Sequence, residues 1–311
     1  MANISMKSMN SRRTVVANTA FPAGSEDLGG LGTAIVEKTP PEVYFIVSAV
    51  FHYLGPAFAV LLFSRVDVLG VAWLRIATAA LVFAAWRRPW RPFAALDHAG
   101  RRLVLGWGVV LALMNCAFYI AIDRLPLGTV AAIEFVPVIG LAAWGTHSRR
   151  NLTALILAVA GVALLADVRI TGEPIGFAFA LVNAGLFAAY IVLGHKAARR
   201  GAASGIDGLA LAMLIATVAA TPIAGWAAIP AFGDPVALLA GAGVGISSSV
   251  IPYVFDQLAM ARVARATYAL LLSLLPATAT IIGILVLAQI PTPAEVLGVM
   301  LVVVAIALRR E

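Results

Sequence analysis

The sequence predicts an all-α integral membrane protein in which ten transmembrane helices form two inverted five-helix repeats around a central cavity. Three observations lead to this prediction. Of the 311 residues, 62% are hydrophobic and 12% are charged, whereas soluble domains are about 45–50% apolar and about 25% charged. Apolar runs of about 20 residues recur, each long enough to cross a hydrocarbon core of about 30 Å as a helix. The two halves of the chain also resemble each other at a constant offset of 139 residues.

The predicted spans follow a polar N-terminal segment, residues 1–41, that we expect to be a disordered cytoplasmic tail. This segment has no continuous apolar stretch of the kind that marks a signal peptide. Residues 42–168 and 169–311 are the two predicted repeats. The ten predicted spans are residues 43–63, 67–86, 103–122, 126–146, 151–167, 174–195, 207–228, 236–257, 265–287 and 291–308.

The basic residues predict the orientation of these spans, because Lys and Arg are enriched in cytoplasmic loops. With the N-terminus inside, all but four of the 22 Lys and Arg residues fall on the cytoplasmic side. Arg65, Arg124 and Arg169 lie outside, and Arg75 lies within a span. Both termini are therefore expected in the cytoplasm, and topology explains the net charge of +7 better than nucleic-acid binding does.

The internal repeat rests on separate pieces that align at one offset. AVFHYLG (49–55) lies over AAYIVLG (188–194), and LRIATAA (74–80) lies over MLIATVAA (213–220). Each half holds five spans, an odd number, so the second copy must enter the membrane inverted. Inverted repeats are typical of secondary transporters, which alternate access around a site near the membrane midplane.

Three ionisable residues near the centres of their predicted spans have no counterpart in the other copy of the repeat: His52, Arg75 and Glu134. A charge at the centre of a membrane helix costs about 2.5–3.5 kcal/mol on insertion scales, so such residues face the bundle interior or a wet cavity. We therefore expect a single cluster at one depth.

The chemistry of this cluster leaves two interpretations open. Arg75 could hold a substrate carboxylate, and Glu134 could hold a substrate ammonium or carry a proton, because desolvation disfavours its charged form. Alternatively, Arg75 and Glu134 form a buried ion pair that only fastens two helices. His52 could likewise be a proton relay, a substrate contact or a hydrogen-bonding core residue.

Further candidates are polar residues and prolines inside the spans. GISSSVIPYVFDQ (245–257) predicts a broken helix or hinge, because three serines and a proline interrupt the apolar run. Asp256 near its cytoplasmic end is either a site residue or an interfacial cap. Other polar candidates, each of which could make only a helix-to-helix hydrogen bond, are Asn115, Tyr119, Asn183, Tyr190 and Ser273. The candidate hinge prolines are Pro56, Pro137, Pro252 and Pro276.

Motifs of enzyme chemistry and metal binding are missing from the sequence. It contains no HExxH, GxSxG or GxxxxGK[ST], and its four histidines lack ligand spacing. The single cysteine, Cys116, excludes a disulfide framework and a thiolate metal cluster. We expect a protein that is not an enzyme and has no cofactor or metal, with a small-molecule substrate, protons and the lipid bilayer as its partners.

Three stretches carry a family resemblance: WLRIATAALVF (73–83), FYIAIDRLPLGTVAAIEFVP (118–137) and IPYVFDQLAMARVARATYALLLSLLPA (251–277). They resemble the ten-helix EamA-type exporters of the drug/metabolite transporter superfamily, and within it the bacterial threonine/homoserine exporter group. The resemblance implies a bacterial inner-membrane protein that exports small amino acids or related polar metabolites against entry of protons. It also implies a role for Asp256, since that group tends to have an acidic residue there.

The chain departs from that family at two places. Leu275 precedes Pro276 where many relatives have an acidic residue, and Ala288-Gln289 stands where many have Gly-Glu. Efflux of apolar drugs or amphiphiles by a transporter of the same superfamily is therefore an alternative function. A membrane enzyme acting on a lipid-linked substrate is a more distant one.

Overall fold

The computed structural model of the protein describes residues 40–145, 148–169, 173–199, 205–260 and 271–308. Regular secondary structure within these ranges is helical. Nearly all of the predicted N-terminal tail lies outside the described residues, as does the start of the ninth predicted span. The α-helices are α1 (Pro41–Leu62), α2 (Val68–Arg87), α3 (Trp90–Ala95), α4 (His98–Arg124), α5 (Leu127–Gly145), α6 (Arg149–Arg169), α7 (Pro174–Arg199), α8 (Gly205–Ala220), α9 (Pro235–Gly245), α10 (Ile251–Met260), α11 (Leu275–Leu287) and α12 (Pro293–Leu308).

Two long helices contain irregular turns. A π-helical turn at Thr221–Gly225 follows α8, and shorter helical turns continue it to Gly233. Another π-helical turn, Ile246–Val250, joins α9 to α10. Residues 205–233 therefore form one long helical rod, and α9 and α10 form another, the α9–α10 rod. Each rod changes its winding locally at its π-helical turn.

The described helices have the length and composition of membrane spans. Within the described ranges, six stretches are long and apolar enough to cross a membrane: Val43–Leu62, Val68–Arg87, His98–Arg124, Pro174–Arg199, Ile206–Gly233 and Pro235–Asp256. Shorter apolar helices cover Leu127–Gly140, Leu275–Leu287 and Pro293–Leu308. Every predicted span is almost entirely helical where the structure describes it. The predicted class, an all-α protein of apolar helices, is confirmed.

Several of these helices begin at a polar side chain that accepts hydrogen bonds from backbone N–H groups. These N–H groups would otherwise lack a partner. Asp67 Oδ1 accepts the N–H of Leu69 before α2, and Asp97 Oδ1 accepts that of Gly100 in α4. At α12, Glu295 accepts from the Thr292 N–H, and Thr292 Oγ1 accepts from the Glu295 N–H. This reciprocal pair is a capping box.

Ion pairs connect the loops at the ends of the bundle. Arg65 lies 3.3 Å from Asp234, Arg87 lies 2.6 Å from Asp207, and Arg124 lies 3.9 Å from Glu173. The Arg65–Asp234 and Arg124–Glu173 pairs are exposed, and such pairs contribute about 0–1 kcal/mol each to stability, whereas the Arg87 side chain is largely buried.

The carboxylate of Asp234 also begins α9. Its Oδ1 accepts hydrogen bonds from the backbone N–H groups of Ala237 and Val236. These bonds, that of Ala237 first, together with the Arg65 guanidinium, hold the pKa of Asp234 below its ordinary value. Asp234 thus connects the α1–α2 loop to the first turn of α9.

Helix packing brings distant parts of the chain together around the middle of the bundle. The described contacts join α1 to α9, α10 and α11; α2 to α8 and α9; α4 to α7 and α8; α5 to α6, α7 and α11; and α6 to α12. Gly55 of α1 lies so close to Ser248 that a Cβ there would overlap its side chain and backbone. A Cβ at Gly245 would lie 2.8 Å from the carbonyl oxygen of Arg75. These glycines bring α1 and α2 against the π-helical turn at 246–250.

Ala288, at the end of α11, has the left-handed backbone conformation that glycine adopts most easily, with φ of 54°. Ala288→Gly is expected to raise the free energy of unfolding by about 0.5–1 kcal/mol, because it relieves the contact between Cβ and the backbone. The measurement is the thermal midpoint of the purified protein in detergent. Ala279→Gly inside α11 is the control and should lower the midpoint, and a lower midpoint for Ala288→Gly would contradict the prediction.

Candidate functional site

Arg75 lies on α2 near the middle of the bundle and is 6% exposed. Its Nε donates to Ser249 Oγ at 3.0 Å, and its Nη2 donates to the Ser248 carbonyl oxygen at 3.2 Å. Its guanidinium carbon lies 5.5 Å from the centre of the Tyr119 ring. The cation is therefore buried among neutral hydrogen-bond acceptors and an aromatic face.

The local sequence of the α9–α10 rod supplies one of these acceptors. Pro252 has no N–H and stands four residues after Ser248, so the Ser248 carbonyl lacks its usual helical donor. The chain forms the π-helical turn here, with the N–H of Ile251 bonded to the Ile246 carbonyl oxygen. The Arg75 side chain donates to the Ser248 carbonyl oxygen in place of the missing backbone N–H. The structure thus departs from regular α-helix within the predicted stretch 245–257, and the hinge role of Pro252 stays a prediction.

Glu134 lies on α5 and is 8% exposed. Its Oε1 accepts a hydrogen bond of 3.2 Å from Nδ2 of Asn183, which lies on α7. Arg75 and Glu134 are within electrostatic range of each other, but they do not form an ion pair. The alternative in which a direct ion pair fastens the two helices is therefore not found in this conformation.

Other polar groups lie around these two charges. His52 of α1 is half-buried and within electrostatic range of Arg75. Its ring meets that of Tyr53 edge-on, with 5.2 Å between the ring centres. Tyr53 in turn lies within electrostatic range of Glu134, and so does Tyr253 of α10. Five helices, α1, α2, α4, α5 and α7, and the α9–α10 rod therefore contribute to one buried polar cluster.

Three buried oxygen atoms of this cluster have no hydrogen-bond partner in the described part of the chain. They are the Tyr53 hydroxyl, the Tyr119 hydroxyl and Oδ1 of Asn183, in residues that are 1%, 0% and 0% exposed. A buried polar atom without a partner costs about 1–3 kcal/mol, so such atoms indicate a place for a ligand or water. The cluster combines a cation with unused donors and a carboxylate flanked by unused acceptors. This arrangement suits a small molecule that carries both charges.

The structure brings some of the predicted site residues together and leaves others apart. Arg75, Glu134, His52 and Tyr119 belong to the cluster. Asn115 donates to the Leu111 carbonyl oxygen of its own helix at 2.8 Å, and Ser273 is buried in the turn before α11. Asp256 lies further along α10, within electrostatic range of Tyr190 and Tyr253. The binding roles of Asn115, Ser273 and Asp256 stay predictions.

Sequence reasoning missed Tyr53, Ser248 and Ser249 as members of the cluster. Tyr53 follows His52 directly, but neighbouring residues on a helix face different directions, so this adjacency is no signal. The serines had a signal, since they stand three and four residues before Pro252 in a span that is otherwise apolar. Asn183, predicted as a possible helix-to-helix hydrogen bond, makes one to Glu134.

The predicted hinge prolines occupy different positions in their helices. Pro56 and Pro137 lie inside α1 and α5, which continue past them. Pro252 stands inside the α9–α10 rod, directly after the π-helical turn, whereas Pro276 stands at the second residue of α11, where a missing N–H costs least. Their hinge roles stay predictions.

An open cavity of about 290 Å³ lies at the end of the bundle where α4 meets the α11–α12 loop. Asp123, Arg124 and Gln289 are among its lining residues. Gln289 Oε1 accepts the backbone N–H of Leu127 at 3.0 Å and so holds this loop against the start of α5. No group of His, Cys, Asp and Glu side chains in the described ranges could hold a metal ion.

A bundle of apolar helices around a buried, charged and hydrogen-bonded cluster is the architecture of a polytopic membrane transport protein. Residues 174–309 match the EamA-like transporter family. The threonine/homoserine exporter RhtA of Escherichia coli K12 is 30% identical over 271 residues, which cover 85% of this chain and 89% of that protein. The RhtA of Salmonella typhimurium LT2 is 30% identical over 269 residues, or 83% and 88% of the two chains. This chain belongs to the EamA-like transporter family, as the resemblance of its sequence predicted.

Proposed function

We propose that the protein is a secondary-active exporter of small amino acids of the threonine or homoserine kind, or of related polar metabolites, in the bacterial inner membrane. The observation that carries this proposal is the buried Arg75 cation, which binds only neutral acceptors and an aromatic ring although a carboxylate lies in the same cluster. A buried charge is normally paired, so Arg75 has the properties expected of a residue that binds the carboxylate of a substrate reversibly. The names of the similar exporters support the same substrate class.

The substrate would lie between the two charges. Its carboxylate binds the guanidinium of Arg75, which has five N–H donors and uses two of them. Its ammonium binds Glu134. A zwitterion placed in this way satisfies both buried charges at once, whereas an apolar drug satisfies neither.

Proton coupling follows from the same carboxylate. Glu134 accepts its hydrogen bond from the neutral amide of Asn183 and makes no ion pair with Arg75, so its buried carboxylate is available to exchange a proton. A proton and a substrate ammonium would then compete for Glu134, so that one enters as the other leaves. This competition makes an antiporter without a second site.

We further propose that residues 42–168 and 169–311 are inverted repeats that together make ten spans. Helix packing supports this, because exchanging the repeats turns most of the larger interfaces into others that are present. The α4–α7 contact corresponds to the contact of the α9–α10 rod with α1, and α5–α7 corresponds to α11–α1. In three further pairs each helix is the counterpart of the other, so the exchange leaves the pair unchanged. These pairs are also in contact: α2–α8, α5–α11 and α6–α12.

The proposed orientation places both termini, with the tail 1–41, in the cytoplasm. Contacts between loops support the assignment of loops to a common side, since each joins positions on one predicted side of the membrane, and the distribution of Lys and Arg determines which side is cytoplasmic. Arg65–Asp234 and Arg124–Glu173 are both outside, and Arg87–Asp207 is inside. The Arg150 side chain donates to the Leu308 carbonyl oxygen, also inside.

A metabolite export assay tests the proposed function. Cells that overproduce the protein are expected to accumulate threonine or homoserine in the medium faster than cells with an empty vector, because the cluster suits a zwitterion. Amino acids in the medium are quantified over time, and immunoblots of the membrane fraction correct for protein amount. Arg75→Ala should abolish the difference. Arg65→Ala, which removes an exposed arginine of the α1–α2 loop, is the matched control and should keep it.

Two outcomes would count against this function. If the cells export no amino acid but become resistant to apolar drugs, the amphiphile exporter is the better interpretation. If Arg75→Ala exports as well as the unmodified protein, the buried cation is not the carboxylate site.

A further inference from the structure

The amide of Asn183 is only half used. Its Nδ2 donates to Glu134, while its Oδ1 has no donor in the described part of the chain. The residue is fully buried. An acceptor left unpaired at such a position costs about 1–3 kcal/mol and calls for an explanation.

The hydrogen bond to Glu134 fixes which side of the amide remains unused. If the amide turned over, Oδ1 would face the carboxylate, and two acceptors would repel each other. Because both amide atoms are attached to one carbon, Oδ1 lies within a few ångströms of the same carboxylate. A donor bound to Glu134 can therefore reach Asn183 as well.

A third oxygen belongs to the same region. The Tyr53 hydroxyl is buried, has no described partner and lies within electrostatic range of Glu134. The carboxylate and the amide oxygen lie close enough together to accept hydrogen bonds from one group, and the hydroxyl is a further acceptor in the same region. A primary ammonium has three N–H donors, and each methyl group placed on nitrogen removes one of them.

We propose that Asn183 Oδ1 accepts a hydrogen bond from the ammonium of the substrate, beside Glu134 and the Tyr53 hydroxyl, and that this makes the transporter selective for primary amines over N-methylated analogues. The inference rests on the proposed function, in which Glu134 holds the ammonium. An N-methylated substrate leaves a buried acceptor unpaired and must also fit a methyl group into a packed site, and sites that hydrogen-bond their substrate reject analogues for this reason.

The test uses the full-length protein in proteoliposomes and measures counterflow of L-threonine and of N-methyl-L-threonine. The unmodified protein is expected to prefer threonine by about tenfold, the effect of one lost hydrogen bond in a buried site. Asn183→Leu should lower threonine transport and bring the ratio to within about twofold of one, because the leucine no longer discriminates. Asn151→Leu, the same change at a buried asparagine of α6, is the matched control and should keep the ratio.

Tyr53→Phe is the second variant, and it removes a single oxygen, so that it tests the inference even if Asn183→Leu does not fold. It should reduce the preference for threonine by about threefold, as expected for a modest hydrogen bond. An unmodified protein that transports both compounds equally would overturn the inference. So would variants at positions 53 and 183 that fold and keep the full preference.

Failure of this inference can be told apart from failure of the proposed function. If Glu134→Gln abolishes transport but the preference is independent of Asn183, only the role of the amide is wrong. If Glu134→Gln transports threonine at the unmodified rate, the site of the ammonium itself is wrong, and the inference falls with it.

Discussion

Arg75→Met is expected to reduce transport of a zwitterionic substrate by about 100-fold, because removal of one partner from a buried charge pair costs about 2–5 kcal/mol. Methionine keeps much of the side chain's length and fits an apolar bundle. The hydrogen bonds to Ser249 and to the Ser248 carbonyl are lost with the guanidinium. They are two bonds to neutral groups, so the larger effect should fall on the bound carboxylate.

Arg75→Lys separates the charge from the geometry of the guanidinium. The planar group of arginine donates to two acceptors of the π-helical turn while further N–H donors remain for a carboxylate. A lysine ammonium is compact and has three donors, so it cannot reproduce this division. Arg75→Lys is expected to recover at most about one tenth of the rate, since the substitution is not conservative at a bidentate site.

Counterflow in proteoliposomes measures these rates, and comparison of threonine with threoninamide identifies the role of Arg75. Threoninamide lacks the carboxylate, so the unmodified protein should transport it poorly and Arg75→Met should no longer distinguish the two compounds. Arg65→Met is the control and should behave as the unmodified protein does. If Arg75→Met folds and still prefers threonine as strongly as before, Arg75 does not bind the carboxylate.

The sequence predicted the positions of the helices well because a hydrocarbon core imposes one simple requirement, an apolar run of sufficient length. Most described helices begin and end within about five residues of the predicted spans; the exception is α11, which begins at Leu275 although the ninth span was predicted from residue 265. Caps such as Asp67 and Asp97 explain several of the boundaries. Arg75 and Glu134 were found by the same requirement. A charge in such a run is costly, and both residues are buried in one cluster.

The partners of these charges could not be predicted. Which residues face each other depends on the rotation of each helix about its axis, and an apolar stripe normally reveals that rotation. Helices such as α2 and α5 are apolar on all sides, so their sequences contain little information about which side of the helix faces which neighbour. The direct pair between Arg75 and Glu134 was therefore a reasonable hypothesis, and the hydrogen bonds to Ser249 and Asn183 became visible only in the structure.

Glu134→Gln is expected to abolish uphill transport driven by a proton gradient. Glutamine has nearly the size of glutamate, and its side-chain oxygen can still accept the hydrogen bond from Asn183, so the packing of α5 against α7 should survive. It carries no charge and cannot exchange a proton. The measurement is accumulation of labelled threonine in proteoliposomes with an imposed pH gradient, and Glu173→Gln, an exposed residue of the α6–α7 loop, is the control.

A second measurement on Glu134→Gln separates the two roles that a carboxylate can have at this position. Counterflow exchanges labelled for unlabelled substrate and needs no net proton movement. If Glu134 only carries the proton, the variant should exchange threonine at a substantial rate while failing to concentrate it. If Glu134 also holds the ammonium, both activities should fall, because an amide is a weaker acceptor for a cation than a carboxylate. A variant that still concentrates threonine against its gradient at the unmodified rate would remove Glu134 from the mechanism, and the isolated carboxylate of α5 would then be a structural partner of Asn183 alone.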